Sequence, residues 1–131
     1  MGDREEAARL VAAARNDVRA LAGMADPGTF AEEIFGFHAQ QAAEKALKAR
    51  LALAGVEYPR THDLSLLLSL LEECGAPVPG SASLVEYNPY AVQFRYGGAF
   101  SDMGAPLDRP AVVRQMVDLV DSTERLVGGV A

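Results

Sequence analysis

Cysteine is nearly absent from this chain: Cys74 stands alone, so no internal disulfide and no thiolate metal cluster can form, and a reducing, cytoplasmic setting is expected. Long hydrophobic runs are absent too. None approaches the ~20 apolar residues that span a bilayer. The N-terminal MGDREEAARL is charged from its third residue and does not read as a secretory leader. Basic charge is scarce, with 12 Lys and Arg against 18 Asp and Glu and a net charge of −6. Sequence-independent nucleic-acid binding draws its affinity from Lys and Arg displacing counterions, so this balance argues against it and leaves only local contacts to a nucleotide. There is no Gly-rich phosphate loop, nucleophile elbow or paired catalytic carboxylate. Strand-like alternation is missing throughout.

What is present is helical periodicity. The 131 residues suit one domain, 1–131, with 50% hydrophobic residues to build a core. A first amphipathic helix is expected over Asp3–Ala22, with Ala7, Leu10, Ala14, Val18 and Leu21 as its buried stripe. The Asp26-Pro27-Gly28 turn follows, and Thr29 with Glu32 forms a capping box for a second helix, Phe30–Ala54. Here Phe35, Ala39, Ala42, Ala46, Ala49 and Leu53 make one apolar stripe and Phe30, Ile34 and Phe37 begin another. A helix apolar on more than one side belongs in the middle of a bundle. Gly55 ends it. Thr61 opens a third helix, with Leu64, Leu67, Leu68 and Leu71 buried and Asp63 in its first turn. A fourth segment, SASLVEYNPYAVQFRYGG, is less regular because Pro89 kinks or interrupts it. GGAFSDMGAPLDRP reads as a loop. Asp108 and Pro110 start the last helix, with Val113, Met116, Val120, Thr123 and Val127 inward. The fold class is all-α, an up-and-down bundle of four to five helices.

Chemistry concentrates on the second helix. His38, Gln41, Lys45 and Lys48 fall at steps of three, four and three, on one face, with Glu44 beside them. One reading is a solvated stripe containing a Glu44–Lys48 pair, which would contribute only ~0.3–0.5 kcal/mol. The other is a groove that draws phosphate or an acidic partner surface. His38 can act as acid, base or ligand, or serve as a hydrogen-bonded structural group. His62 carries the same alternatives, with Asp63 and Glu57 nearby. Two histidines without matched partners do not make a metal site, and none is expected. Tyr87, Tyr90, Phe94, Arg95 and Tyr96 form an aromatic cluster around an arginine, which suits an interface anchor or a clamp on a base or phosphate.

FHAQQAAEKALKARLALAGVEYPRTHDLSLLL, residues 37–68, resembles the HEPN domain family (higher eukaryotes and prokaryotes nucleotide-binding). His38, Gln40-Gln41, Glu44-Lys45, Lys48-Ala49 and Thr61-His62-Asp63-Leu64 carry the likeness. The segment Val92–Tyr96 is similar to the family's Arg-Tyr-Pro-Asp stretch, with Gly97 where the family has proline. The resemblance implies a helical bundle, commonly dimeric, often encoded beside a minimal nucleotidyltransferase in a toxin–antitoxin-like pair. The family's ribonucleases use an Arg, four to six residues, then a His. No histidine follows His62, Arg50 and Arg60 lie at the wrong distance from it, and no arginine stands just upstream of His38. That pair cannot be assembled in its usual place. The expectation is therefore a non-catalytic nucleotide-binding and interaction module that homodimerises, without cofactor, metal or membrane. Its groove would comprise His38, Gln41, Glu44, Lys45, Lys48, His62 and Asp63. The alternatives are a metal-independent ribonuclease toxin with a rearranged site and a purely structural partner protein.

Overall fold

The computed structural model describes residues 2–91 and 106–129, and among these every regular element is helical. Helix α1 spans Arg4–Ala22, α2 Glu32–Leu53, α3 Leu64–Glu73 and α4 Arg109–Val127, with a 3-10 helix at Ala82–Tyr87 that turns α-helical at 88–91. No described helix is long and apolar enough to cross a membrane.

Local signals set most helix ends. Asp3 caps α1 by accepting from the Glu6 N–H at 2.9 Å. Gly55, at φ +76°, takes the left-handed turn after α2, and the Val56 N–H returns to the Leu51 carbonyl at 3.0 Å. Asp108 caps α4 through the Ala111 N–H at 3.2 Å, with proline in the first turn.

The expected capping box at Thr29 does not form. Asp26 captures the Thr29 hydroxyl at 2.7 Å and the Gly28 N–H at 3.0 Å, so both are held in the preceding turn. Helix α2 starts after Ala31 with no side-chain cap. Glu32, released from capping, accepts the Leu107 N–H at 2.6 Å and meets Arg109 at 3.4 Å. Likewise α3 begins at Leu64 rather than Thr61, because Asp63 is its cap, accepting from the Ser65 N–H at 3.0 Å. In α4 it is Val112 and Leu119 that complete the buried face, and Val113 is only partly covered.

Helix α2 contacts every other described element, as a helix apolar on several sides must. Its run of Ala39, Ala42, Ala43, Ala46 and Ala49 is fully buried, and small side chains let α1 and α4 approach closely. Phe35, Leu47 and Leu51 fill the space beside them. One charged side chain closes the end of this core. Arg109 is 5% exposed and donates to the carbonyls of Met24 at 2.9 Å and Phe30 at 2.8 Å, with its guanidinium 4.8 Å from the Phe35 ring centroid. It ties the start of α4 to the α1–α2 turn.

Tyr87 and Tyr90 correct an expectation. Read from sequence as an interface or ligand clamp, they lie 4% and 3% exposed within the core. Pro89 lies at the change from 3-10 to α geometry; the Tyr90 ring meets Gly36 of α2, and the Tyr87 hydroxyl donates to Gln115 of α4 at 2.6 Å. Phe94, Arg95 and Tyr96, the rest of that cluster, lie outside the described residues, as does most of the GGAFSDMGAP loop.

Tyr90 packs so closely against Gly36 that an added Cβ would collide with the ring. Alanine is ordinarily worth ~1 kcal/mol over glycine inside a helix. At this contact the sign reverses: Gly36→Ala is expected to lower stability by about 1–3 kcal/mol through overpacking. Urea midpoints will show it, and the loss should shrink when Tyr90 is also replaced by Ala.

Candidate functional site

The polar face of α2 resolves into two clusters, each centred on a carboxylate that the bundle covers. The first joins α1 to α2. Asp17 projects from the buried face of α1, between Ala14 and Leu21, and is 7% exposed. One of its oxygens accepts from His38 Nδ1 at 2.9 Å and the other from Lys45 Nζ at 2.7 Å. An ionised carboxylate can only accept, so His38 carries its proton on Nδ1, and in the neutral ring Nε2 is the acceptor. The ring is fixed further by edge-to-face contact with Phe37, centroids 5.5 Å apart.

The second cluster joins α2 to the turn before α3. Glu44, 5% exposed, accepts from Lys48 Nζ at 3.0 Å, His62 Nδ1 at 2.8 Å and Gln40 Nε2 at 2.9 Å. Gln40 is fully buried. Its amide also donates to the His62 carbonyl at 3.0 Å and accepts from Gln41 at 2.7 Å. Lys48 passes over the Tyr58 ring, 5.7 Å from its centroid. No buried side-chain nitrogen or oxygen among the described residues lacks a partner.

Burial pushes the Glu44 carboxyl up, but the hydrogen bonds from Gln40, His62 and Lys48, with the lysine charge, outweigh it and leave the group below its ordinary value. This differs from a solvated stripe. The Glu44–Lys48 pair exists as spacing suggests, yet its carboxylate is inside the protein, where screening by solvent is weak.

The structure thus brings His38 together with Lys45, and Gln41 with Glu44, Lys48 and His62, but as two networks instead of one groove. Each lysine already has a carboxylate, so the two lysines add no net charge to the face. Asp63 joins neither network. Its carboxylate caps α3 and accepts from Asn88 Nδ2 at 3.1 Å, and the Ser65 hydroxyl heads the contacts that hold it below the usual carboxylate range. Glu57 takes no part.

Sequence reading missed Asp17 and the burial of Gln40. Asp17 was detectable: it falls three residues after Ala14 and four before Leu21, an acid on an otherwise apolar stripe, and such an acid needs a cation from another helix. Gln40 precedes Glu44 by four, the spacing of an intrahelical contact. No three of His, Cys, Asp and Glu converge in metal-binding geometry among the described residues.

A bundle with an alanine-rich central helix and a His-Gln-Glu-Lys face of this kind defines a class of helical domain. The family model of the HEPN domain matches residues 4–127, nearly the whole chain, and the protein belongs to that family. No curated protein and no solved structure matches the chain.

Because Glu44 is lowered on folding, it contributes stability that is complete above its ordinary value of 4.5 and drains away as pH falls through the lower folded value. Denaturant midpoints followed downward from neutral pH are expected to fall below that point. Glu44→Gln should flatten this acid limb and cost about 2 kcal/mol at neutral pH, the scale of hydrogen bonds to a charged group.

Proposed function

We propose that this HEPN domain is a non-catalytic nucleotide-binding and interaction module that dimerises and pairs with a minimal nucleotidyltransferase in a toxin–antitoxin-like arrangement. The observation that carries this reading is how the two histidines are used. Each is bound through Nδ1 to a buried carboxylate that also holds a lysine, so both act as struts between elements. The partly exposed edges of His38, Gln41, Lys45 and Lys48 leave a hydrogen-bonding surface along α2, on which both lysine charges are met by carboxylates. Such a surface suits a base or sugar edge, or the polar rim of a partner, better than bare phosphate.

A second reading is favoured by one contact. Asp17 on His38 Nδ1 presents Nε2 as acceptor, the arrangement of an oriented general base, and in a rearranged ribonuclease site His38 would take the proton from the attacking hydroxyl.

The two are separated by calorimetric titration with ATP and other nucleotides, co-purification with a nucleotidyltransferase encoded beside this chain, and an RNA-cleavage assay. Lys45→Ala and Lys48→Ala would each take the lysine from a buried carboxylate, so Lys45→Gln, whose amide can still donate to Asp17, is the better probe. Binding of nucleotide or nucleotidyltransferase that weakens about tenfold in this variant, a loss of ~1.4 kcal/mol, with no cleavage of RNA, is the expected result. Cleavage abolished by His38→Gln in a folded protein would establish the ribonuclease reading instead. Absence of both nucleotide heat and co-purification would overturn the module.

A further inference from the structure

A groove of about 610 Å³ opens between α4, the end of α2 and the loop before the 3-10 helix, and none of the residues of the two carboxylate clusters lines it. Its size falls in the range of small-molecule sites, roughly 300–1,000 Å³. The walls are mostly apolar: Val78, Pro79, Leu84, Leu119 and Leu126.

Arg50 sits in this groove and is treated differently from the other covered cations. Arg109, Lys45, Lys48 and Arg15 each meet a carboxylate. Among the described residues Arg50 meets only hydroxyls: Nε donates to Thr123 Oγ1 at 2.9 Å and Nη2 to Ser122 Oγ at 2.7 Å. Those hydroxyls donate their own protons to the Leu119 carbonyl, which orients their lone pairs toward the guanidinium. No carboxylate among the described residues reaches ion-pair distance of Arg50, and burial alone lowers its pKa. One edge of the guanidinium is therefore clamped, and its end, Nη1 with the second Nη2 proton, remains for a bidentate acceptor. The rim is held in place as well. Gln115 accepts from Tyr87 at 2.6 Å and donates to Ser83 at 2.9 Å.

Charge on the lining decides which anion fits. Arg50 and Arg125 are balanced by Asp118 and Asp121, and Asp121 is paired with Arg15 at 2.8 Å. A monoanion on Arg50 gains that contact against modest repulsion from the two aspartates, and a dianion meets twice the repulsion from them.

We propose that this groove binds a small organic monocarboxylate, its carboxylate on Arg50 and its apolar body against Leu84, Leu119 and Leu126. The site goes beyond the function proposed for the α2 face and does not depend on it.

The test is an amide NMR titration of isotope-labelled protein with three probes that share an aromatic body: naphthoate, naphthalenemethanol and naphthyl phosphate. Naphthoate is expected to shift resonances around Gly80, Ser81 and Leu119 and to bind about tenfold or more tightly than the neutral alcohol. Arg50→Gln should remove that preference. Should that variant fail to fold, Leu126→Glu, at an exposed position, places a competing carboxylate at the same groove and should abolish naphthoate binding. Equal affinity for alcohol and carboxylate, unchanged affinity in Leu126→Glu, or shifts scattered away from the groove would overturn the proposal. Tighter binding of the phosphate than of naphthoate would overturn its choice of a monoanion.

Discussion

Two carboxylates inside a helical bundle impose the main constraint on this protein. Asp17 and Glu44 are covered by the packing of α1, α2 and the turn before α3, and an uncompensated charge there would be strongly destabilising. Both are met by a lysine from α2 and by a histidine ring. These contacts set the register of α1 against α2 and fix where the chain returns before α3. A different rotation of α2 would bury lysines without partners and expose alanines that have nothing else to pack on.

The same logic explains why the α2 face is a poor candidate for simple charge attraction. Cations that hold internal carboxylates add little net field, and the overall negative charge of the chain adds no attraction for phosphate. What the face offers is directional hydrogen bonding from an ordered array. Arg50, three turns from His38 along α2, contrasts with this. Its charge is steadied by neutral hydroxyls and is in ion-pair contact with no described acid, beside an open groove. One helix thus presents two chemically different surfaces.

Covered arginines divide along similar lines. Arg109 is enclosed, bonded to two carbonyls and close to Glu32, and serves as a mechanical link between α4 and the α1–α2 turn. A planar fork with several donors suits that role better than a lysine would.

Sequence by itself determined the helical class, the helix order, the central place of α2 and most helix ends. Apolar spacing, Asp3, Gly55, Asp108 and Pro110 act within a few residues, and such signals survive without knowledge of neighbours. It also located His38, Gln41, Glu44, Lys45, Lys48 and His62. Tertiary structure alone decided what those residues do. The Asp17 carboxylate is 21 positions from His38 and 28 from Lys45, so no local pattern states the pairing. The loss of the Thr29 capping box to Asp26, the diversion of Glu32 to the start of α4, and the inward turn of Tyr87 and Tyr90 follow the same rule. Each depends on a partner that only the packed bundle brings within hydrogen-bonding or van der Waals reach.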